Sequence, residues 1–488
     1  MTEERKEVLD KYQLVVGLEV HAQLLTKSKA YAGDANEFGS LPNSNTSPLT
    51  LGHPGTLPRL NQKVVDYAIK LGLATNCEIT RNMHFARKNY FYADLPKGYQ
   101  ITQDTTPICT GGFIDLKNAN DENTRIGITR IHIEEDAGKS MHDQDPYNTL
   151  VDLNRAGVPL LEIVSEPDIR SIEEAYNYLA EVRRLVRYLE ICDGNMEEGS
   201  MRCDANVSVM LKGSSEFGNR CEVKNMNSLR NVQRAITFEM KRQIKILESG
   251  GKVEQQTRSF DAVNNTTFTL RGKEDAHDYR YFPEPDLQPL VLTDAEISKV
   301  KANMPPLPNQ LLKKYINELK LSEYDAAIIV DSKPIAVYYE ALINETQNYK
   351  AAANWLMGDI KSHLNQTATP IDQFGIKPKA IAELIELIDQ NLISHSIASQ
   401  QVFPKMVESP GRSPREIAET ENLLQKSDDD WLTNIAKEAI EAYPDKAKAY
   451  REGNKGLLGL FMGEVMKISE RKANPKMASQ IIKKLLEE

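Results

Sequence analysis

Apolar and polar residues alternate one by one through several segments in roughly the first 290 residues, the pattern of strands with one dry and one wet face. In Val15-Val16-Gly17-Leu18-Glu19-Val20-His21 the alternation puts Val16, Leu18 and Val20 on one face and projects Glu19 and His21 from the other. In Ile126 to Asp136 it gathers Arg130, His132 and Glu134 on one side. In Met201 to Leu211, Cys203, Ala205, Val207 and Val209 turn to a core while Arg202, Asp204, Asn206 and Ser208 turn away. Asp152 and Asn154 alternate with Val151 and Leu153, and Glu162 follows Leu160-Leu161.

Helical spacing interrupts this pattern twice. Ile172, Ala175, Leu179, Val182, Val186 and Leu189 follow Ser171, a capping residue that Glu174 completes as a capping box. Leu229, Val232, Ile236, Met240, Ile244 and Leu247 follow Ser228 and stop at Gly250-Gly251. Prolines cluster from Phe282 to Pro308 and place a boundary there; beyond it the spacing is helical, as in Leu312, Tyr315, Ile316 and Leu319. A second break falls at Pro404 to Pro414, after which Ser413 caps and Glu416 completes a further box. The fold class expected is α+β: a domain over 1–293 with a mainly antiparallel sheet, an all-α domain over 294–408 and a small helical tail over 409–488.

With 27% charged and 40% hydrophobic residues the 488-residue chain has the composition of a soluble globular protein, and its net charge of −10 advertises no nucleic-acid partner as a whole. The tail differs: from Tyr450 to Glu488 eight Lys and Arg face five acids, a local net charge of +3. Five scattered cysteines without a C-x-x-C pair point to a reducing cytoplasm rather than a disulfide framework or zinc ribbon. The charged start, Thr2 to Lys11, is not a signal peptide, and no apolar run reaches the roughly 20 residues of a membrane helix.

Carboxylates massed on polar strand faces repel one another, and a divalent cation is the common remedy. Oxygen donors with one imidazole suit Mg²⁺, or Mn²⁺, and such an array can bridge nucleotide phosphates in phosphoryl transfer. One wet-faced sheet without any site accounts for each strand taken singly. Gly138-Lys139-Ser140 ends like a phosphate-binding loop, but Ile133 stands where the first glycine belongs, so it reads as a turn. Asn118 to Asn123 reads as a solvated hairpin loop.

Longer motifs carry a resemblance. Gly17-Leu18-Glu19-Val20-His21, Pro42 to Thr46 and Pro54 to Pro58 resemble the start of the B subunit family of bacterial aspartyl/glutamyl-tRNA amidotransferases. Arg87 to Tyr92, His132 to Lys139, Val151 to Arg155, Glu162 to Asp168, Met196 to Asn206 and Asp278 to Pro285 continue the resemblance in order, and Gly453 to Gly459 resembles the family's tail. Some members carry a cysteine-rich zinc motif where this chain has Ser47-Pro48-Leu49-Thr50, so no zinc is expected.

The resemblance implies a glutamine-synthetase-like cradle, a helical domain and a tRNA-contacting tail. It implies a heterotrimer with a glutaminase A subunit and a small C subunit. ATP would phosphorylate Glu on tRNA(Gln) or Asp on tRNA(Asn), and channelled ammonia would displace the phosphate. It implies Glu19, His21, Glu134 and Glu162 as metal ligands, and Lys88 and Glu135 on the ammonia path beside a catalytic Glu134. Glu197, Asp204 and Asn206 are implied as contacts to metal or nucleotide. The chain lacks the Gly-Ser-rich amidase signature, so ammonia must come from a partner. A metal-dependent hydrolase or a non-catalytic tRNA-binding scaffold could present the same carboxylate face.

Overall fold

The computed structural model describes residues 8, 10–117, 122–142, 144–272, 278–424, 429–469 and 473–487. The hairpin loop expected at 118–123 therefore lies largely outside the described residues, as do Arg471 and Lys472 of the basic tail. The chain forms two compact units, Met1–Leu307 and Pro308–Glu488.

The first unit is built on a ten-stranded sheet. The strands that matter for the site are β1 (Tyr12–Gln23), β2 (Ala86–Asn89), β3 (Tyr99–Thr102), β4 (Asn123–Glu135), β5 (Pro159–Ser165), β6 (Met201–Leu211) and β7 (Cys221–Met226). β2 and β3 pair with each other in a separate small sheet, Lys88 opposite Gln100. In the large sheet the central order is β7–β6–β1–β5–β4, each neighbouring pair antiparallel.

One face of this sheet is dry. Val16, Leu18, Val20, Ile131, Ile133, Leu161 and Val207 pack there in one core with Tyr178, Leu179, Val182 and Val186 of helix α1 (Ile172–Tyr188) and Val232 and Ile236 of α2 (Leu229–Glu248). Each fully buried aliphatic side chain stabilises the fold by about 1.5–3 kcal/mol, which fixes the register: a one-residue slip would turn the carboxylates into the core. Ser171 Oγ accepts from Glu174 N at 3.0 Å as expected, but the Glu174 carboxylate accepts from Arg170 N at 2.7 Å, one residue short of the capping box read from the sequence. A complete box occurs instead at Thr293 and Glu296, ahead of α3 (Asp294–Ala302). Ile297 of α3 is buried in the core of the first unit, which is why that unit runs to Leu307 rather than ending at 293.

Every regular element among the described residues of the second unit is a helix. From Leu432 onward it has its own core, with Ala436, Phe461, Val465, Ile482 and Leu486 fully buried. Its last helix, α4 (Pro475–Glu487), begins where Asn474 Oδ1 accepts from Lys476 N and Met477 N at 3.0 and 3.2 Å. No helix among the described residues is long and apolar enough to cross a membrane.

Candidate functional site

Strand register assembles the site on the sheet's polar face. His132 on β4 stands opposite Glu162 on β5, Glu162 opposite His21 on β1, and His21 opposite Arg202 on β6. Glu134, two residues past His132, falls on the same face. The result is a compact group: His21 Nε2 lies 3.1 Å from Glu162 Oε2 and 3.7 Å from Glu134 Oε1. His132 Nε2 approaches the same two carboxylates at 3.4 and 3.6 Å, and Thr102 Oγ1 donates to Glu134 Oε2 at 3.2 Å.

Electrostatics keep these carboxylates ionised although they are buried. Burial raises the pKa of Glu162, but His132 and His21 outweigh it and hold the group well below the usual carboxylate range. Glu134 is opposed by burial and by Glu162, and is lowered by His132 and Lys88. Burial works against the His132 imidazolium, yet Glu162 and Glu134 raise its pKa to about 9. One donor atom each from His21, Glu134 and Glu162 lies within 4.8 Å of the others, so this set could hold a hard divalent cation.

A second group forms on the neighbouring strands. Glu19 stands opposite Asp204, and with Glu222 of β7 they again bring carboxylate oxygens within 4.8 Å of one another. Asn206 Nδ2 donates to Glu19 Oε1 at 2.9 Å. Lys224 Nζ sits against Asp204 Oδ2 at 2.6 Å and Glu222 Oε1 at 2.7 Å. Burial raises the pKa of Glu19, helped by Glu162, Glu222 and Asp204. Of the metal ligands implied by the resemblance, the structure thus joins His21, Glu134 and Glu162 and sets Glu19 with Asp204, Asn206 and Glu222.

The remaining residues are placed differently. Lys88 Nζ lies 5.1 Å from the centre of the Tyr279 ring, and burial, which would lower its pKa, is outweighed by Glu134, Tyr281 and Glu162. Glu135, next along β4, projects away from Glu134: its Oε1 accepts from Ile101 N at 2.9 Å and pairs with Lys97. It lines a small pocket with Tyr31, Lys97 and Gly157. Lys88 and Glu135, implied together on one path, therefore belong to opposite sides of β4. Glu197 is exposed in a turn and joins neither carboxylate group. Sequence reasoning missed Glu222 and Lys224, whose segment shows the same alternation around Cys221 and Val223. It also left His132 unassigned, although its place between Arg130 and Glu134 was legible.

Comparison with known proteins follows the same division of the chain. Residues 14–298 match the GatB/GatE catalytic domain, and residues 337–486 match the GatB domain. The B subunit of the aspartyl/glutamyl-tRNA(Asn/Gln) amidotransferase of Thermodesulfovibrio yellowstonii is 47% identical over 477 residues, 98% of this chain and 100% of that protein. The protein of the same name from Caldicellulosiruptor bescii is 49% identical over 479 residues, 98% of this chain and 99% of the relative. That of Geotalea daltonii is 48% identical over 479 residues, with the same two coverages. With the matches running in order along nearly the whole chain at almost half identity, the chain belongs to the GatB family, that of the aspartyl/glutamyl-tRNA(Asn/Gln) amidotransferase B subunits.

Proposed function

We propose that this chain is the carboxylate-activating subunit of a glutamine-dependent tRNA amidotransferase, using ATP to phosphorylate Glu on tRNA(Gln) or Asp on tRNA(Asn). The observation that carries the reading is the His21–Glu134–Glu162 group on the polar face of a rigid sheet, in a chain of this family. A carboxylate is a poor acyl donor because its leaving group would be oxide. One carboxylate oxygen of the aminoacyl group therefore attacks the γ-phosphorus of ATP, the bond to the β–γ bridging oxygen breaks, and ADP departs. Ammonia then attacks the acyl carbon, and phosphate leaves with the former carboxylate oxygen.

The chain's residues serve this chemistry mainly by position and charge. Glu134 and Glu162 are kept ionised by His132, and Thr102 orients Glu134. Mg²⁺ or Mn²⁺, when bound by His21, Glu134 and Glu162, would neutralise charge on the transferring phosphoryl group. Glu19, Asp204 and Asn206 extend the polar face toward nucleotide, while Lys88 stays cationic beside Glu134. The amide nitrogen comes from a glutaminase A subunit along a path past Lys88 or past Glu135, which lie on opposite sides of β4, with a small C subunit completing a cytoplasmic heterotrimer. The helical tail contributes basic surface to tRNA.

The test is amide formation on glutamyl-tRNA(Gln) or aspartyl-tRNA(Asn) by this chain with its partner subunits, followed with and without ATP. The reading expects Gln-tRNA(Gln) or Asn-tRNA(Asn) only when ATP is present. Conversion without ATP, or metal-dependent hydrolysis of the tRNA ester in its place, would overturn it.

A further inference from the structure

We propose that Arg130 is the residue that grips the terminal phosphate of ATP, an inference that rests on the ATP-dependent reading above. Arg130 alternates along β4 with Ile131 and Ile133, both fully buried in the core, so it shares the polar face with His132 and Glu134. Register sets it opposite Val164 of β5, which in turn stands opposite Glu19 of β1, and Glu19 opposite Asp204. This row is two residues, about 7 Å, from the row holding His132, Glu162 and His21. Val164 carries no charge, so the space above it is bounded by Arg130 on one side, Glu19 on the other and the His21–Glu162 pair in the next row.

Three basic side chains near this face are already committed. Arg202 donates to Asp136 at 3.0 Å, Lys224 bridges Asp204 and Glu222, and Lys88 lies over Tyr279. The Arg130 side chain has neither a hydrogen bond nor an ion pair with any described residue, and its Nε is buried without an acceptor. A guanidinium is always charged, carries five donors and no acceptor, and loses solvation when buried alone. A planar fork held open beside a cluster suited to a divalent cation fits an oxyanion that the two would share, and two N–H groups match two oxygens of a phosphate. A cation on His21, Glu134 and Glu162 and the Arg130 fork one row away would approach the γ-phosphate from two directions, as transfer of that group requires.

The experiment compares ATP and ADP binding to the full-length chain in Mg²⁺ buffer for wild type, Arg130→Met and Arg130→Lys. Arg130→Met should lose about 10- to 100-fold in ATP affinity, as expected for charge-assisted bonds, while ADP, which lacks the γ-phosphate, changes by less than about threefold. Arg130→Lys, which keeps the charge and loses the fork, should fall between. Retained ADP binding also shows that the variants fold, and if Arg130→Met does not, the Arg130→Lys comparison alone decides. Equal ATP affinity in wild type and variants overturns the proposal. Equal losses for ATP and ADP also overturn it, because they would mark a structural role. A wild-type chain that binds no ATP would bring down the proposed function itself.

Discussion

At Glu134 one carboxylate faces His21, His132 and the hydroxyl of Thr102, with the Lys88 charge close enough to lower its pKa. Replacing Glu134 with Gln keeps the shape and removes the charge. Calorimetric titration should show Mn²⁺ or Mg²⁺ affinity lower by about 10- to 100-fold in Glu134→Gln, and unchanged affinity would remove Glu134 from the metal set. Lys29 offers a test of the surrounding structure. It is fully buried, donates to the carbonyls of Asn45 at 2.7 Å and Leu153 at 3.3 Å, and faces Asp34 at 3.8 Å. Lys29→Met leaves those acceptors without their donor and should destabilise the chain by about 2–4 kcal/mol in chemical denaturation. Burial pulls the Lys29 pKa down to about 8, against Asp34 and Glu135, whereas an unfolded lysine titrates near 10.4. Between those values the unfolded chain holds more protons, so this lysine's contribution makes wild-type stability rise with pH. Lys29→Met lacks that contribution, and the gap between the two proteins should widen from about pH 8 to about pH 10. A gap that narrows over that window would contradict this reading of Lys29.

At the scale of elements, strand alternation accounts for the site's polar face and antiparallel register for its grouping. Alternation is written in each strand, so Glu19, His21, His132, Glu134, Asp204 and Asn206 were legible as a wet face in the sequence, as were α1 and α2. Register is a property of strand pairs. Nothing within β1 alone says that His21 will meet Glu162 while Glu19, two residues before it, meets Asp204. The same limit hid Lys224 as the counter-ion of Asp204, and the unpaired state of Arg130. β4 also explains why Lys88 and Glu135 do not touch: consecutive residues point to opposite faces, so Glu135 joins Lys97 and Ile101 while Glu134 joins His21 and Glu162. If ammonia passes along this strand, Lys88→Ala or Glu135→Gln should impair amidation driven by glutamine more than amidation driven by added ammonium. Equal losses with both nitrogen sources would exclude a role in the path.

For the whole molecule, the proposed function places the chemistry in the first unit and the tRNA grip in the tail. The tail's positive charge is partly spent internally: Arg451 donates to Leu486 O at 3.1 Å and Lys467 lies 3.2 Å from Glu464. Lys476, Lys483 and Lys484 of α4 are exposed, on a helix whose Ala478, Ile482 and Leu486 are buried. Replacing these three lysines with Ala should weaken tRNA binding, with turnover restored at saturating tRNA. For each lysine that neutralises a phosphate, the slope of log affinity against log salt should also fall by about 0.7–0.9. An unchanged slope would make the tail a plain surface. The central claim, that the aminoacyl carboxylate is phosphorylated before it is amidated, is tested most directly by labelling that carboxylate with ¹⁸O and analysing the phosphate released during amidation. Each phosphate formed with product should carry one ¹⁸O in wild type, and Glu134→Gln should yield none. Phosphate free of ¹⁸O, released while the amide forms at a normal rate, would contradict the claim.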